Sequence, residues 1–391
     1  MQRIEFSAPL ADAKNYPAAV LKVNPNQPLA HSTLFANPVL KNQKLQFFAT
    51  GRGALFYAAL RLKREGDNEV LLPAYHCPAL VEPFIAAGYQ IRFYPVQPDL
   101  KVDLSSLKSL ISTKTSHCLL VRYFGNAEGV ADNLRWLSAQ GIVTFDDCAH
   151  DLQSFITPTV VADAAICSIR KFIASHDGGA LRLKVAPAAA EKTPVAVSWM
   201  VEGINLLKFL LSIFSAAITT RPKPHLCSPM ATVQQVASEA TTTRAEIPAA
   251  NVVVKPEGNE PFRYLQHKDQ EQSCYRLTQW QLTHINLSQV IQARQQHAAQ
   301  LMKGLAGSPL GSLLWPQLPP ACAPYVIPFL LNDKTGFDLL RKRGLQVLRW
   351  EELAVSDCTV SQDYRARLIQ IPCHQDLNED DIHYIIQCFN M

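Results

Sequence analysis

The sequence has no CxxC pair and no zinc-type grouping among its ten cysteines, which lie singly from Cys77 to Cys388. A disulfide scaffold and a structural zinc site are therefore excluded, and no metal is expected. Several of these cysteines sit inside apolar runs, as reduced buried thiols do. Charge of one sign is also lacking. The 37 Lys and Arg residues face 33 Asp and Glu, and a formal charge of +4 leaves no electrostatic footprint for nucleic acid. Residues Met1 to Lys14 contain no continuous apolar run behind a basic start, so nothing there marks the chain for export and a reducing cytoplasm is the expected location. The most lipid-like stretch, Trp199 to Ile218, is interrupted by Glu202, Asn205 and Lys208. Those polar groups would lie within a bilayer core, so the stretch is expected to be a core or dimer-interface helix and no membrane span.

What is present is substance for a core. The chain has 391 residues, of which 48% are apolar and 18% charged, enough for two domains and incompatible with disorder. From about residue 47 to 184, short apolar, β-branched runs alternate with helical patterns, the signature of an α/β domain with a mostly parallel sheet. Helices are expected over Gly53–Arg64, Pro78–Gly88, Leu104–Ile111 and Asn133–Gln140. Strands are expected over Val70–Pro73, Ile91–Tyr94, His117–Tyr123 and Ile142–Phe145. Residues 187–260 read as an irregular insertion with a Thr/Ala/Ser-rich segment. A long helical pattern from Tyr275 to Leu305, a strand at Tyr325–Leu331, and helices at Phe337–Arg343 and Asp380–Phe389 suggest a smaller α+β domain. The expected division is 1–255, with an N-terminal extension to about 45, and 256–391.

Four segments carry polar groups where such a fold collects ligands: TGRGAL at 50–55, PAYHCPAL at 73–80, DDCAHD at 146–151 and SIRKFIASHDGGAL at 168–181. A glycine-bracketed turn opening a helix, with Gly51, Arg52 and Gly53, presents backbone N–H groups and a positive dipole end to an anion. The same turn can be a plain strand-to-helix connection. Asp146 and Asp147 follow a strand, at the carboxyl end of an open sheet where ligands bind. Taken singly, Asp147 reads equally as a cap, Lys171 beside Arg170 as a solvated basic pair, and His150 as a core histidine.

In their order and spacing the four segments resemble the DegT/DnrJ/StrS family of sugar aminotransferases, fold type I enzymes that depend on pyridoxal 5′-phosphate. Asp146-Asp147-Cys148-Ala149-His150 is similar to the family's acid-acid-small-Ala-Gln/His motif. Ser168, Lys171 and Gly178-Gly179 match its serine, Schiff-base lysine and Gly-Gly turn. The resemblance implies that Lys171 holds the cofactor aldehyde and moves protons, that Asp147 faces the pyridine nitrogen, and that His150 hydrogen-bonds the phenolic oxygen. It also implies that Ser168, with Gly51, Arg52 and Gly53, holds the phosphate.

Two positions depart from the family pattern. Cys77 stands where members carry a ring-stacking aromatic, leaving Tyr75 or His76 as substitutes. Cys274-Tyr275-Arg276 replaces the family's Asn-Tyr-Arg element. The implied activity is transfer of an amino group from glutamate or glutamine to a nucleotide-linked keto sugar, in polysaccharide or surface-glycan biosynthesis, by a homodimer. A sugar dehydratase, in which histidine replaces the lysine, is the alternative that Lys171 opposes. A degenerate homologue acting as regulator or scaffold is opposed by the joint presence of Lys171, Asp147, His150 and Ser168.

Overall fold

A computed structural model describes residues 4–27, 45–66, 68–185, 194–218, 262–319 and 322–391, leaving most of the expected insertion outside the described residues. A seven-stranded sheet is built from β1 (Leu45–Phe48), β2 (Glu69–Pro73), β3 (Gln90–Tyr94), β4 (Thr115–Val121), β5 (Val143–Asp147), β6 (Ala164–Ser168) and β7 (Gly179–Leu183). Their order across the sheet is β1-β7-β6-β5-β4-β2-β3. Neighbours from β6 to β3 run parallel, and β7 lies antiparallel between β6 and β1. The fold is thus α/β with a mostly parallel sheet, as expected. A second sheet, β8 (Gly311–Leu313), β9 (Val326–Leu331) and β10 (Leu368–Pro372), is antiparallel with β9 in the middle.

Local chemistry accounts for where elements differ from the expected bounds. The first helix begins at Gly51 rather than Gly53, because the Thr50 hydroxyl accepts the Gly53 N–H at 3.2 Å and sets the cap two residues earlier. Pro78 and Pro83 remove backbone donors, so the expected helix over Pro78–Gly88 is a 3₁₀ turn, Pro78–Leu80, followed by Glu82–Ala86. The pattern from Tyr275 to Leu305 is two helices, Arg276–His284 and Leu287–Leu305. Asn286 divides them, its side chain capping the second by accepting the Gln289 N–H at 3.2 Å. The C-terminal helix Glu379–Asn390 opens on a reciprocal capping box between Asn378 and Asp381.

Two hydrophobic clusters form the core. The larger surrounds the main sheet and includes Leu282, Ile285 and Val290. The smaller draws on Leu21 and on residues from Ala298 to Phe389. Residues on both sides of the division expected at 256 join the larger cluster, Leu282, Val326 and Leu353 among them, and Leu21 of the N-terminal extension joins the smaller. Helix Trp199–Ile218 is present, but Trp199, Met200, Ile204, Leu207 and Leu211 are exposed, so it is not the core helix that was one expectation. Among the described residues no helix is long and apolar enough to cross a membrane.

One close approach fixes the functional end of the sheet. Gly179 opens β7 directly beneath the first helical turn, where an added Cβ would lie 2.2 Å from the Thr50 carbonyl oxygen. Gly178, at φ +126°, donates its N–H to the Ala49 carbonyl at 2.8 Å. Gly179→Ala is expected to lower stability by about 2–3 kcal/mol through overpacking. A fall in the urea midpoint with an unchanged m-value would register it.

Candidate active site

Successive residues of a strand point to opposite faces of its sheet, so Asp146 and Asp147 at the end of β5 diverge. Asp146 is bound by the Arg122 guanidinium through two 2.8 Å bonds, Nε to Oδ1 and Nη2 to Oδ2, with both side chains 2% exposed. Asp147 instead lines a cavity of about 130 Å³. Among the described residues its carboxylate takes one hydrogen bond, from the Ala149 N–H to Oδ1 at 2.8 Å. Burial pushes its pKa up, and the Ala149 N–H and Lys171 oppose that shift.

The same cavity is lined by Ser168 at the end of β6 and by Lys171 on the 3₁₀ turn Ile169–Lys171 that follows. The Lys171 Nζ lies 5.2 Å from the centroid of the Tyr325 ring. Burial pushes its pKa below the ordinary lysine range, against the opposing pull of Cys77 and Asp147. His150 completes the polar lining. Its Nδ1 accepts the Phe124 N–H at 3.3 Å, which leaves Nε2 as the protonated nitrogen of a neutral ring. Burial, with Lys171 nearby, holds its pKa well below the usual histidine value. Phe124 reaches this position with a left-handed backbone, φ 56°, and stacks on the imidazole at a centroid distance of 5.4 Å.

Gly51 and Arg52 bring the start of helix Gly51–Leu62 to the cavity, with first-turn N–H groups that the helix itself cannot satisfy. The Arg52 side chain is committed elsewhere, to Asp269, through Nε at 2.8 Å and Nη2 at 3.3 Å. An anion end, a carboxylate, an imidazole donor and a lysine around one small cavity fit pyridoxal phosphate in charge and donor set.

Three expected residues are elsewhere. Gly53 does not line the cavity, because its N–H goes to the Thr50 cap and a Cβ on it would lie 2.0 Å from the Asp269 carbonyl oxygen. Tyr75 and His76 do not line it either, so neither substitutes for the missing aromatic; both side chains are fully buried behind it. Tyr75 packs among Tyr123, Trp350 and Tyr364. His76 stacks on Phe93, accepts the Ala354 N–H on Nε2 at 3.1 Å, and faces the Cys77 carbonyl through Nδ1 at 3.2 Å. Cys77 does line the cavity. Trp350, which sequence reasoning missed, supplies its aromatic wall. No local motif marks it, because it comes from the far end of the chain.

Burial holds the His76 pKa at about 4, against 6.5 for an unperturbed ring. The unfolded chain therefore takes up a proton that the folded chain refuses, so stability falls as pH drops from 6.5 towards 4. His76→Gln, which keeps an acceptor for the Ala354 N–H, is expected to flatten part of that slope in urea unfolding. His117, also held at about 4 by burial, and His150, held well below the usual histidine value, contribute to the rest.

Comparison with known proteins follows the same residues. Residues 47–191 match the model of the DegT/DnrJ/EryC1/StrS aminotransferase family. No curated protein matches the sequence. Among solved structures, the chain is similar to Helicobacter pylori PseC, an aminotransferase involved in the biosynthesis of pseudoaminic acid. The two share 17% identity, with a TM-score of 0.58 and 99% of each chain covered. It is also similar to the sugar aminotransferase CalS13 from Micromonospora echinospora, at 16% identity, a TM-score of 0.56 and coverage of 100% and 99%. The aminotransferase TlmJ from Streptoalloteichus hindustanus aligns at 13% identity and a TM-score of 0.57, covering 89% of this chain and 85% of its own. At these identities the likeness establishes the fold, that of fold type I aminotransferases. The family match covers the segment that supplies Asp147, His150, Ser168 and Lys171, and in that segment the chain is similar to the DegT/DnrJ/EryC1/StrS aminotransferases, enzymes that use pyridoxal phosphate.

Proposed function

We propose that the chain is a sugar aminotransferase, moving an amino group from glutamate or glutamine onto a keto sugar that is nucleotide-linked, as the sequence resemblance implies. The convergence of Lys171, Asp147, His150 and Ser168 on one cavity at a helix N-terminus carries this reading. Pyridoxal phosphate would be held there by Lys171, with its phosphate toward Ser168 and the Gly51 and Arg52 N–H groups, its ring nitrogen toward Asp147 and its phenolic oxygen toward His150. Bound there, it supplies an aldehyde and an electron-withdrawing ring.

The chain's own groups are suited to those roles. A lysine amine with a depressed pKa is neutral in a larger fraction of molecules, so it can act as nucleophile and then take and return a proton at the substrate carbon. Burial raises the Asp147 pKa, and the Ala149 N–H and Lys171 pull against it toward the charged form, the form that stabilises a protonated ring nitrogen. His150 stays neutral and offers its Nε2–H, because Nδ1 is already an acceptor. Val121, Ile166 and Trp350 give the cavity apolar walls that limit water.

Lys171 in the lining favours transamination over the dehydratase alternative, in which histidine replaces the lysine. A homodimer in the cytoplasm is part of the proposal. Its support is helix Trp199–Ile218, where Asn205 is buried while Met200, Ile204, Leu207 and Leu211 are exposed.

Lys171→Ala is expected to abolish both transamination and the covalent cofactor adduct that borohydride fixes, read by mass spectrometry of the tryptic peptide. An adduct retained on another lysine would overturn the assignment. Asp147→Asn should lower turnover by at least about a hundredfold while cofactor remains attached. Full activity in that variant would remove Asp147 from the mechanism, and Asp146 cannot take its place while Arg122 holds it.

A further inference from the structure

Arg170 and Lys171 read in the sequence as one solvated basic pair, and the structure separates them. Both stand on the 3₁₀ turn Ile169–Lys171 and both line the cofactor cavity, but the Lys171 amine lies over the Tyr325 ring while Arg170 is exposed at the mouth. The turn is fixed on either side of Arg170. The Ile169 N–H is donated to the Gly178 carbonyl at 3.0 Å, and Arg294 donates to the Lys171 carbonyl at 3.0 Å. The backbone of Arg170 therefore keeps one place relative to the amine.

The Arg170 charge is unanswered within the cavity. Of the cations in the lining, Arg52 is bound to Asp269, and burial favours the neutral form of Lys171. Among the described residues Arg170 makes no hydrogen bond and no ion pair. Burial lowers the Lys171 pKa and raises that of Tyr325, and Arg170 pulls both down, so its charge acts on the side of the cavity where the amine reacts. The other donors on that side are in use: the Tyr325 hydroxyl donates to Asn24 Oδ1 at 2.8 Å, and the His150 Nε2–H is assigned to the phenolic oxygen.

An amino acid carries its carboxylate two bonds from the nitrogen it gives up. When that nitrogen reaches the aldehyde held by Lys171, the carboxylate must lie close to the lysine, where a keto sugar has only hydroxyl-bearing carbons. We propose that Arg170 is the specificity-determining residue for the amino donor, its guanidinium taking the α-carboxylate in a two-point contact, and that it has no part in holding the cofactor phosphate. The assignment rests on the aminotransferase reading and adds the side chain that tells donor from acceptor. A carboxylate on Arg170 also cancels its repulsion of Lys171, so the amine takes a proton more readily once the donor is seated.

The amino-donating half-reaction, followed by cofactor absorbance on the full-length, loaded protein, tests this with L-glutamate and L-glutamine against γ-aminobutyramide, which is glutamine without its α-carboxylate. Arg170→Gln is expected to lower kcat/KM for the amino acids about ten- to a hundredfold, mainly through KM, as loss of a charged hydrogen bond does, and to leave γ-aminobutyramide unaffected. Arg170→Lys, which keeps the charge and loses the fork, should recover part of the loss. Cofactor affinity, measured by dialysis, should match the wild type in both variants. Equal losses for glutamine and γ-aminobutyramide, an unchanged KM for the amino acids, or weakened cofactor affinity in Arg170→Gln, the result expected of a phosphate contact, would each overturn the assignment. Loaded wild-type protein that takes an amino group from no amino acid would overturn the aminotransferase reading instead. Calorimetry with glutarate, a carboxylate without an amine, then still decides Arg170: binding that Arg170→Gln removes supports the site, and its absence overturns it.

Discussion

The buried ion pair between Arg122 and Asp146 decides what two neighbouring carboxylates can do. Side by side in sequence, Asp146 and Asp147 would raise each other's proton affinity, and Asp146 does push Asp147 in that direction. The bidentate Arg122 contact ties the first carboxylate to a cation on the far face of the strand. Arg122 also reaches the Ser154 hydroxyl at 3.2 Å and lies 3.9 Å from Asp151, the residue that caps helix Leu152–Ile156. One guanidinium thus ties together both ends of the loop that carries Cys148, Ala149 and His150. The Ala149 N–H bond to Asp147 and the inward placement of His150 both depend on that loop being fixed.

Lys171 is steadied from the other side of the molecule. It stands on a single 3₁₀ turn, which has little rigidity of its own. Arg294, fully buried in helix Leu287–Leu305, donates to the Lys171 carbonyl at 3.0 Å and to the carbonyls of Pro324 and Tyr325 at 3.2 and 3.1 Å. Its Nε reaches Gln375 at 2.9 Å, and Gln375 donates in turn to the Phe172 carbonyl at 2.7 Å. The main chain that leaves the lysine, its own carbonyl and the next, is therefore bonded to helix Leu287–Leu305 and to Gln375. The Tyr325 ring beneath the amine comes from the same network, so the position of Lys171 depends on how the two cores are joined.

The parts legible in sequence were those whose signal is local. Alternating apolar runs revealed the parallel strands, and the spacing of Asp147, His150, Ser168 and Lys171 identified four residues that one cavity unites, because strand ends and the turns after them lie adjacent in a parallel sheet. Tyr75 and His76 were misread for a physical reason. Beside Cys77 they share its turn, yet their side chains point into the packing between the domains, which no short pattern encodes. Gly53 was misread because its amide closes a helix cap and its missing side chain makes room for Asp269, a residue more than two hundred positions away. Arg294 and Trp350 carried no signal, since their roles arise only when distant segments meet.

Trp350 shows how a departure at one position can be offset from another. At Cys77 the wall of the cavity loses the ring that relatives are expected to place there, and a thiol is too small to restore that surface. The indole of Trp350 enters the lining instead, held 4.9 Å from Tyr75, 5.5 Å from His150 and 5.8 Å from Phe124 between ring centroids. Those contacts join the residues misread as cofactor partners to the histidine that does reach the cavity. Trp350 is followed directly by Glu351, which accepts the Leu10 and Ala11 N–H groups, so the aromatic wall is tied to the N-terminal segment as well. A side chain from the last fifty residues thereby makes the shape of the cofactor cavity depend on a segment remote in sequence, a coupling that an aromatic at residue 77 would not provide.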